Sequence, residues 1–289
     1  MNLVKKGFSF YVFGNIHVAL AVYSLVKLTS LQFGSNNDEI ACLSFFGTIV
    51  SYNLIRYFQL DKLNTSISIW IKANRNGLLV LNFLAGAGCV FYLVKLERSE
   101  VWLLIPLVFA TFFYVLPFRS GTTGLRGVPM LKLLLISFIW AALTVILPLV
   151  SSTDYFSDSM WLILGQRFFF VFAITIPFDI RDADFDKPEL LTLPHLIGTD
   201  RSKLIAIIAL MACIYVSSTL YELRSSNYII DTVIMSISMI LVLFTNVRRL
   251  RYYTAFWIES LPILWYLFYL VFADQFVFEN HDIGIILTP

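Results

Sequence analysis

The residues of this sequence best suited to chemistry lie in the run Ile176-Pro177-Phe178-Asp179-Ile180-Arg181-Asp182-Ala183-Asp184-Phe185-Asp186-Lys187. On a helix Asp179, Asp182 and Asp186 fall at i, i+3 and i+7, so their carboxylates share one face. Three anions on one face repel each other unless a counter-cation joins them. Oxygen clusters of this kind suit Mg²⁺, and magnesium in turn holds phosphate. An acidic run at a membrane boundary can equally be a solvated helix end. Here the spacing D-x-x-D-x-x-x-D directly follows a long apolar run, and a second polar patch stands elsewhere. That patch is Asn53, Tyr57 and Asp61, at i, i+4 and i+8 of one helical face. Taken alone it is an ordinary polar helix end.

The elements that must position these residues are membrane helices. The chain has 289 residues, 58% of them hydrophobic and only 14% charged, with a mean hydropathy of +0.79. Soluble domains sit near about 45–50% apolar and about 25% charged. A bilayer span needs about 20 apolar residues, and the sequence offers candidates at 8–28, 39–59, 77–96, 101–118, 130–150, 160–178, 204–221, 228–245 and 254–273. No Pro/Gly/Ser-rich linker divides them, so residues 1–289 read as a single domain. The expected fold class is an all-α integral membrane protein of nine transmembrane helices. The apolar run after Lys5 and Lys6 is too long for a cleavable signal and reads as the first span. Cys42, Cys89 and Cys213 lie in apolar segments without metal or disulfide spacing.

Most of the 21 lysines and arginines flank one side of these spans, from Lys5 and Lys6 to Arg248, Arg249 and Arg251. Lys27, Lys95, Arg98 and Arg224 fall on the other side, and Arg167 lies inside a span. By the positive-inside bias the N-terminus is cytoplasmic and the C-terminus outside, as suits a bacterial inner membrane. The longer polar loops lie on the cytoplasmic side, and so do both aspartate-bearing patches. No basic tract with interleaved aromatics suggests nucleic acid.

Together the two patches resemble those of the UbiA family of intramembrane prenyltransferases. That family carries NDxxDxxxD after its second helix and DxxDxxxD after its sixth. Asp179, Asp182 and Asp186 match the second motif. Leu191-Thr192-Leu193-Pro194-His195-Leu196-Ile197-Gly198 is similar to the family's T-L-P-x-x-x-G segment. Tyr114-Val115-Leu116-Pro117-Phe118-Arg119 is similar to its Tyr-x-x-x-x-basic element. Asn53 and Asp61 match the ends of the first motif, but Leu54 and Tyr57 stand where it has carboxylates. The resemblance implies a UbiA-like bundle with a cytoplasmic-side cavity, in which Mg²⁺ clamps a polyprenyl diphosphate. It implies ionisation of that donor and attack by a lipophilic acceptor, aromatic and quinone-precursor-like.

By the same resemblance, Asp179, Asp182, Asp186, Asn53 and Asp61 are expected to be catalytic, the first three holding one Mg²⁺. A second ion at the first motif is in doubt. Diphosphate departure needs positive charge, and Arg119, Lys62, Tyr57, Arg126, Lys132 and Tyr114 are the expected substrate contacts. Any one of these basic residues can also be plain positive-inside decoration.

Polar residues within spans usually face the interior. Arg167 either snorkels outward or pairs inside the bundle with Glu259 or Asp231. Asn15 and His17 read as packed, hydrogen-bonded residues, and Glu259 as an added carboxylate near the cytoplasmic end. Three functions compete: a prenyltransferase, a catalytically lapsed protein of the same fold that binds an isoprenoid or lipid, and a small transporter. Transport fits worst, since no internal repeat or matched broken helices are visible.

Overall fold

The computed structural model describes residues 3–59, 66–115, 130–183, 192–246 and 252–273. Among these the chain is helical throughout, with no strand. Eight stretches are long and apolar enough to cross a bilayer: Ile16–Phe33 (α2), Asp38–Tyr57 within α3 (Asp38–Gln59), Arg75–Leu93 (α5), Leu131–Leu149, Asp158–Asp182 (α9), Thr199–Leu220 (α11), Ser226–Leu243 (α12) and Tyr253–Phe272. The expected span at 101–118 corresponds to α6 (Arg98–Val115), which runs up to the edge of the described residues. Shorter helices complete the order: α1 (Leu3–Phe13), α4 (Ser66–Ala73), α7 (Leu131–Ala141), α8 (Leu147–Leu149), α10 (Leu193–Ile197) and α13 (Leu261–Phe272). The protein is a multi-pass integral membrane protein.

Helix α9 is the axis of the bundle. Ser157 caps its start by accepting from the Met160 amide at 3.1 Å. Its apolar faces pack against α7 and α11, while α2 packs against α3 and α13, and α12 against α11. Phe170 meets Trp265 edge to face at 4.8 Å, both fully buried. By contrast α5 is buried mainly where it meets α3, and it turns Leu79, Val80, Phe83, Leu84 and Phe91 outward. In lipid an outward apolar face is stable, because the bilayer is the solvent.

Three spans depart from regular helix. The expected first span, 8–28, is broken: α1 ends at Phe13 and α2 begins at Ile16, with Asn15 left-handed at φ 65°. Backbone groups freed inside a membrane must find partners, and here a side chain from α3 supplies one. Asn53 donates to the Gly14 carbonyl at 3.2 Å, and its Oδ1 accepts from the side-chain Nδ2 of Asn15 at 2.7 Å. Periodicity of apolar residues carries no signal of such a long-range brace. The other two departures are single π-helical turns, Ala142–Ile146 between α7 and α8, and Tyr253–Ile258 leading into α13.

The half of α9 nearer its start carries a buried polar network. Asp231 is fully buried and accepts from Gln166 (2.9 Å), Ser217 (2.6 Å), Trp265 (2.8 Å) and Tyr269 (2.9 Å). Arg167, also fully buried, does not snorkel. It donates to the Leu25 carbonyl at 3.2 Å, lies over the Trp265 ring at 5.0 Å and sits in the field of Asp231. Five helices are tied together by these contacts. The twelve residues from Arg167 to Asp179 place this network roughly 18 Å along the helix from the aspartates.

Candidate functional site

The aspartate end of α9 is built from four elements. Asp179 and Asp182 occupy its last turn, three residues apart and on one face. Asp179 is only 1% exposed, and its carboxylate forms an ion pair with Lys132 from the first turn of α7. Asp182 is partly open, at 36%, and is clasped in two-pronged fashion by its neighbour Arg181, with Nε and Nη2 each 2.7 Å from a carboxylate oxygen. The remaining arm of Arg181 donates from Nη1 to Thr254 Oγ1 at 2.7 Å, on the second π turn, and the guanidinium lies over Phe178 at 5.1 Å.

That π turn also delivers a third carboxylate. Glu259 follows it, its amide bonded back to the Thr254 carbonyl at 3.3 Å. The Glu259 side chain is half-buried and lies within electrostatic reach of both Arg181 and Arg56. Arg56, near the end of α3, donates to the Phe13 carbonyl at the break between α1 and α2. Nearby, His17 Nε2 faces the Phe256 carbonyl at 3.0 Å. A carbonyl only accepts, so Nε2 carries the proton, and Nδ1 accepts from the Tyr11 hydroxyl at 2.7 Å. Asn15 and His17 are thus packed and bonded, as expected.

Residues 192–198 lie against the end of α9. Thr192 precedes α10, and His195 reaches the Ala183 carbonyl at 2.9 Å while its other ring nitrogen meets Thr192 Oγ1 at 2.7 Å. The T-L-P segment therefore pins the end of α9 by a side chain.

Of the expected site residues, the structure brings Asp179, Asp182 and Lys132 together. Asn53 is buried, and its amide is taken up by the helix break. Tyr57 is exposed, at 54%, one turn beyond, as is Leu54 at 45%. Tyr114 lies on α6, with its side chain outside the described residues. Asp61, Lys62, Arg119, Arg126 and Asp186 also lie outside the described residues. Arg181 and Arg56 entered the sequence reading only as basic residues on one side of the membrane. Their signal was position beside a carboxylate and beside a helix break, and neither is visible without the fold.

Magnesium is held by one or two carboxylates, with water and phosphate oxygens completing its shell. Among the described residues no three His, Cys, Asp or Glu side chains come together. Asp179 is closed off by Lys132, and removing one partner of such a buried pair costs about 3–5 kcal/mol. Asp182 is already neutralised by Arg181, and Leu54 and Tyr57 bring no charge. As arranged, the described residues do not fit a magnesium ion. The repulsion that such an ion would relieve is relieved by a lysine and an arginine.

No family model matches the sequence, and no curated protein matches it significantly. The fold is similar to a solved structure, that of a UbiA homolog from Archaeoglobus fulgidus bound to GPP and Mg²⁺. The superposition has a TM-score of 0.64, covers 90% of this chain and 96% of that one, and pairs residues that are 11% identical. The class is therefore set by architecture: this is a membrane protein with a UbiA-like fold.

Proposed function

We propose that this protein binds an allylic isoprenyl diphosphate at the aspartate end of α9 and transfers its isoprenyl group to a lipophilic acceptor. The observation that supports the reading best is the conjunction of a UbiA-like fold with a buried, braced Asp179–Asp182 turn at the end of its axial helix. In this reading the donor's C1–O bond breaks and the electron pair leaves with the diphosphate. The acceptor then attacks C1 and releases a proton. Lys132 and Arg181 supply fixed positive charge toward the leaving diphosphate, and Asp179 and Asp182 hold those two cations in place. The apolar bundle keeps water from the allylic cation. Orientation with the N-terminus in the cytoplasm of a bacterial inner membrane belongs to the same proposal and rests on the basic-residue bias. The second reading, a lapsed protein that only holds an isoprenoid, is favoured by neutral Leu54 and Tyr57 at the end of α3.

The test is calorimetric titration of geranyl diphosphate into detergent-purified protein, with magnesium present so that a missing ion is not limiting. Saturable binding, weakened at least about tenfold in Asp182→Ala, is expected; tenfold corresponds to 1.4 kcal/mol. Absence of binding contradicts the proposal. Binding without turnover across a panel of hydroxylated aromatic acceptors favours the second reading.

A further inference from the structure

We propose that Lys132 stands in for a divalent metal at the aspartates, so that the isoprenyl diphosphate is held without magnesium. The inference rests on the function proposed above and specifies how that site carries its charge.

Asp179, Asp182 and Glu259 lie at this end of the bundle without meeting one another, and Lys132, Arg181 and Arg56 stand within contact or electrostatic reach of them. The pairing is specific. Lys132 comes from a different helix than Asp179 and buries its contact, while Arg181 grips both oxygens of Asp182 and is itself anchored on Thr254. Each aspartate of the turn therefore has a fixed counter-charge built into the chain.

A lysine ammonium is a compact point charge with three donors, able to bond a carboxylate and a phosphate oxygen at once. With Asp179 1% exposed, a hydrated ion reaches that carboxylate only by expelling Lys132 and leaving its ammonium without its partner. The end of α3 adds to this: Leu54 and Tyr57 offer no carboxylate that an ion could bridge to α9. In this arrangement positive charge comes to the phosphate from side chains, as it does where Lys and Arg bind phosphate directly.

The experiment measures geranyl diphosphate affinity for the full-length protein in excess EDTA and in millimolar Mg²⁺. Mn²⁺ bound to the wild-type protein is counted in parallel by electron paramagnetic resonance. Wild-type affinity is expected to agree within about threefold between the two buffers, with no tightly bound Mn²⁺. In Lys132→Met the affinity in EDTA is expected to fall at least about thirtyfold, and Mg²⁺ to restore much of it, because Asp179 is then open to an ion.

Wild-type binding that requires Mg²⁺, or stoichiometric Mn²⁺ on the wild-type protein, overturns the inference and leaves the proposed function standing. So does undiminished EDTA binding by the Met variant. Absence of binding in both buffers overturns the proposed function itself. Should the Met variant fail to fold, the wild-type comparison and the Mn²⁺ count still decide.

Discussion

Asp231 shows what a single residue does in this membrane interior. Four neutral donors converge on its carboxylate, and Arg167 lies within electrostatic reach without a direct ion pair. Truncating it strands those donors and leaves the Arg167 charge uncompensated. Asp231→Ala is expected to destabilise the protein by at least about 1–3 kcal/mol, the cost of a stranded buried donor, read as a lowered thermal midpoint in detergent. Asp231→Asn, which retains an acceptor, is expected to lose less. Equal midpoints for the Ala variant and the wild type contradict the network's structural role. Residues of this kind were partly legible in the sequence. An arginine inside a span announces an interior position, but the choice between Asp231 and Glu259 needed the fold. Lys132 was expected as one of several substrate contacts, but its pairing with Asp179 was not legible, because it joins helices 47 residues apart in sequence.

At the scale of elements, long apolar runs located the eight described spans to within about five residues except the first, because lipid imposes a length on every helix that crosses it. The irregular turns were not legible. A π turn inserts one residue without a compositional mark, and the break at Gly14–Asn15 depends on an asparagine from another helix. Gly14 itself is required there. A Cβ added to it meets the Phe10 carbonyl oxygen at 2.5 Å, a backbone atom that cannot swing away. Gly14→Ala is expected to destabilise by about 1–3 kcal/mol, and Asn53→Leu by a similar amount, since it leaves the Gly14 carbonyl and the Asn15 side-chain Nδ2 without this partner. Unchanged unfolding midpoints in both variants contradict the brace. Asn53 thus has a structural task, whatever it contributes to a ligand.

For the whole molecule, the proposed orientation rests on the bias of basic residues along the sequence. If the basic loops are inside as proposed, alkaline phosphatase fused after the last span is expected to be active in the bacterial periplasm, and green fluorescent protein at the same point to be dark. The reverse pattern contradicts the orientation. Fold class was legible from hydropathy and from the two polar patches. Of the residue-level arrangement, the sequence made legible only the shared helical face of Asp179 and Asp182. The counter-ions are a property of the assembled bundle: α7 brings the lysine, the π turn before α13 anchors the arginine, and α3 brings Arg56 beside the broken first span.

The proposed function puts a diphosphate at one end of α9, and the most direct measurement is a structure of the protein soaked with geranyl diphosphate. The account predicts diphosphate density within hydrogen-bonding distance of Lys132 and Arg181, with the isoprenyl tail running into the apolar bundle. Density for the ligand at the Asp231 end, or on the outer lipid-facing surface of α5, contradicts it.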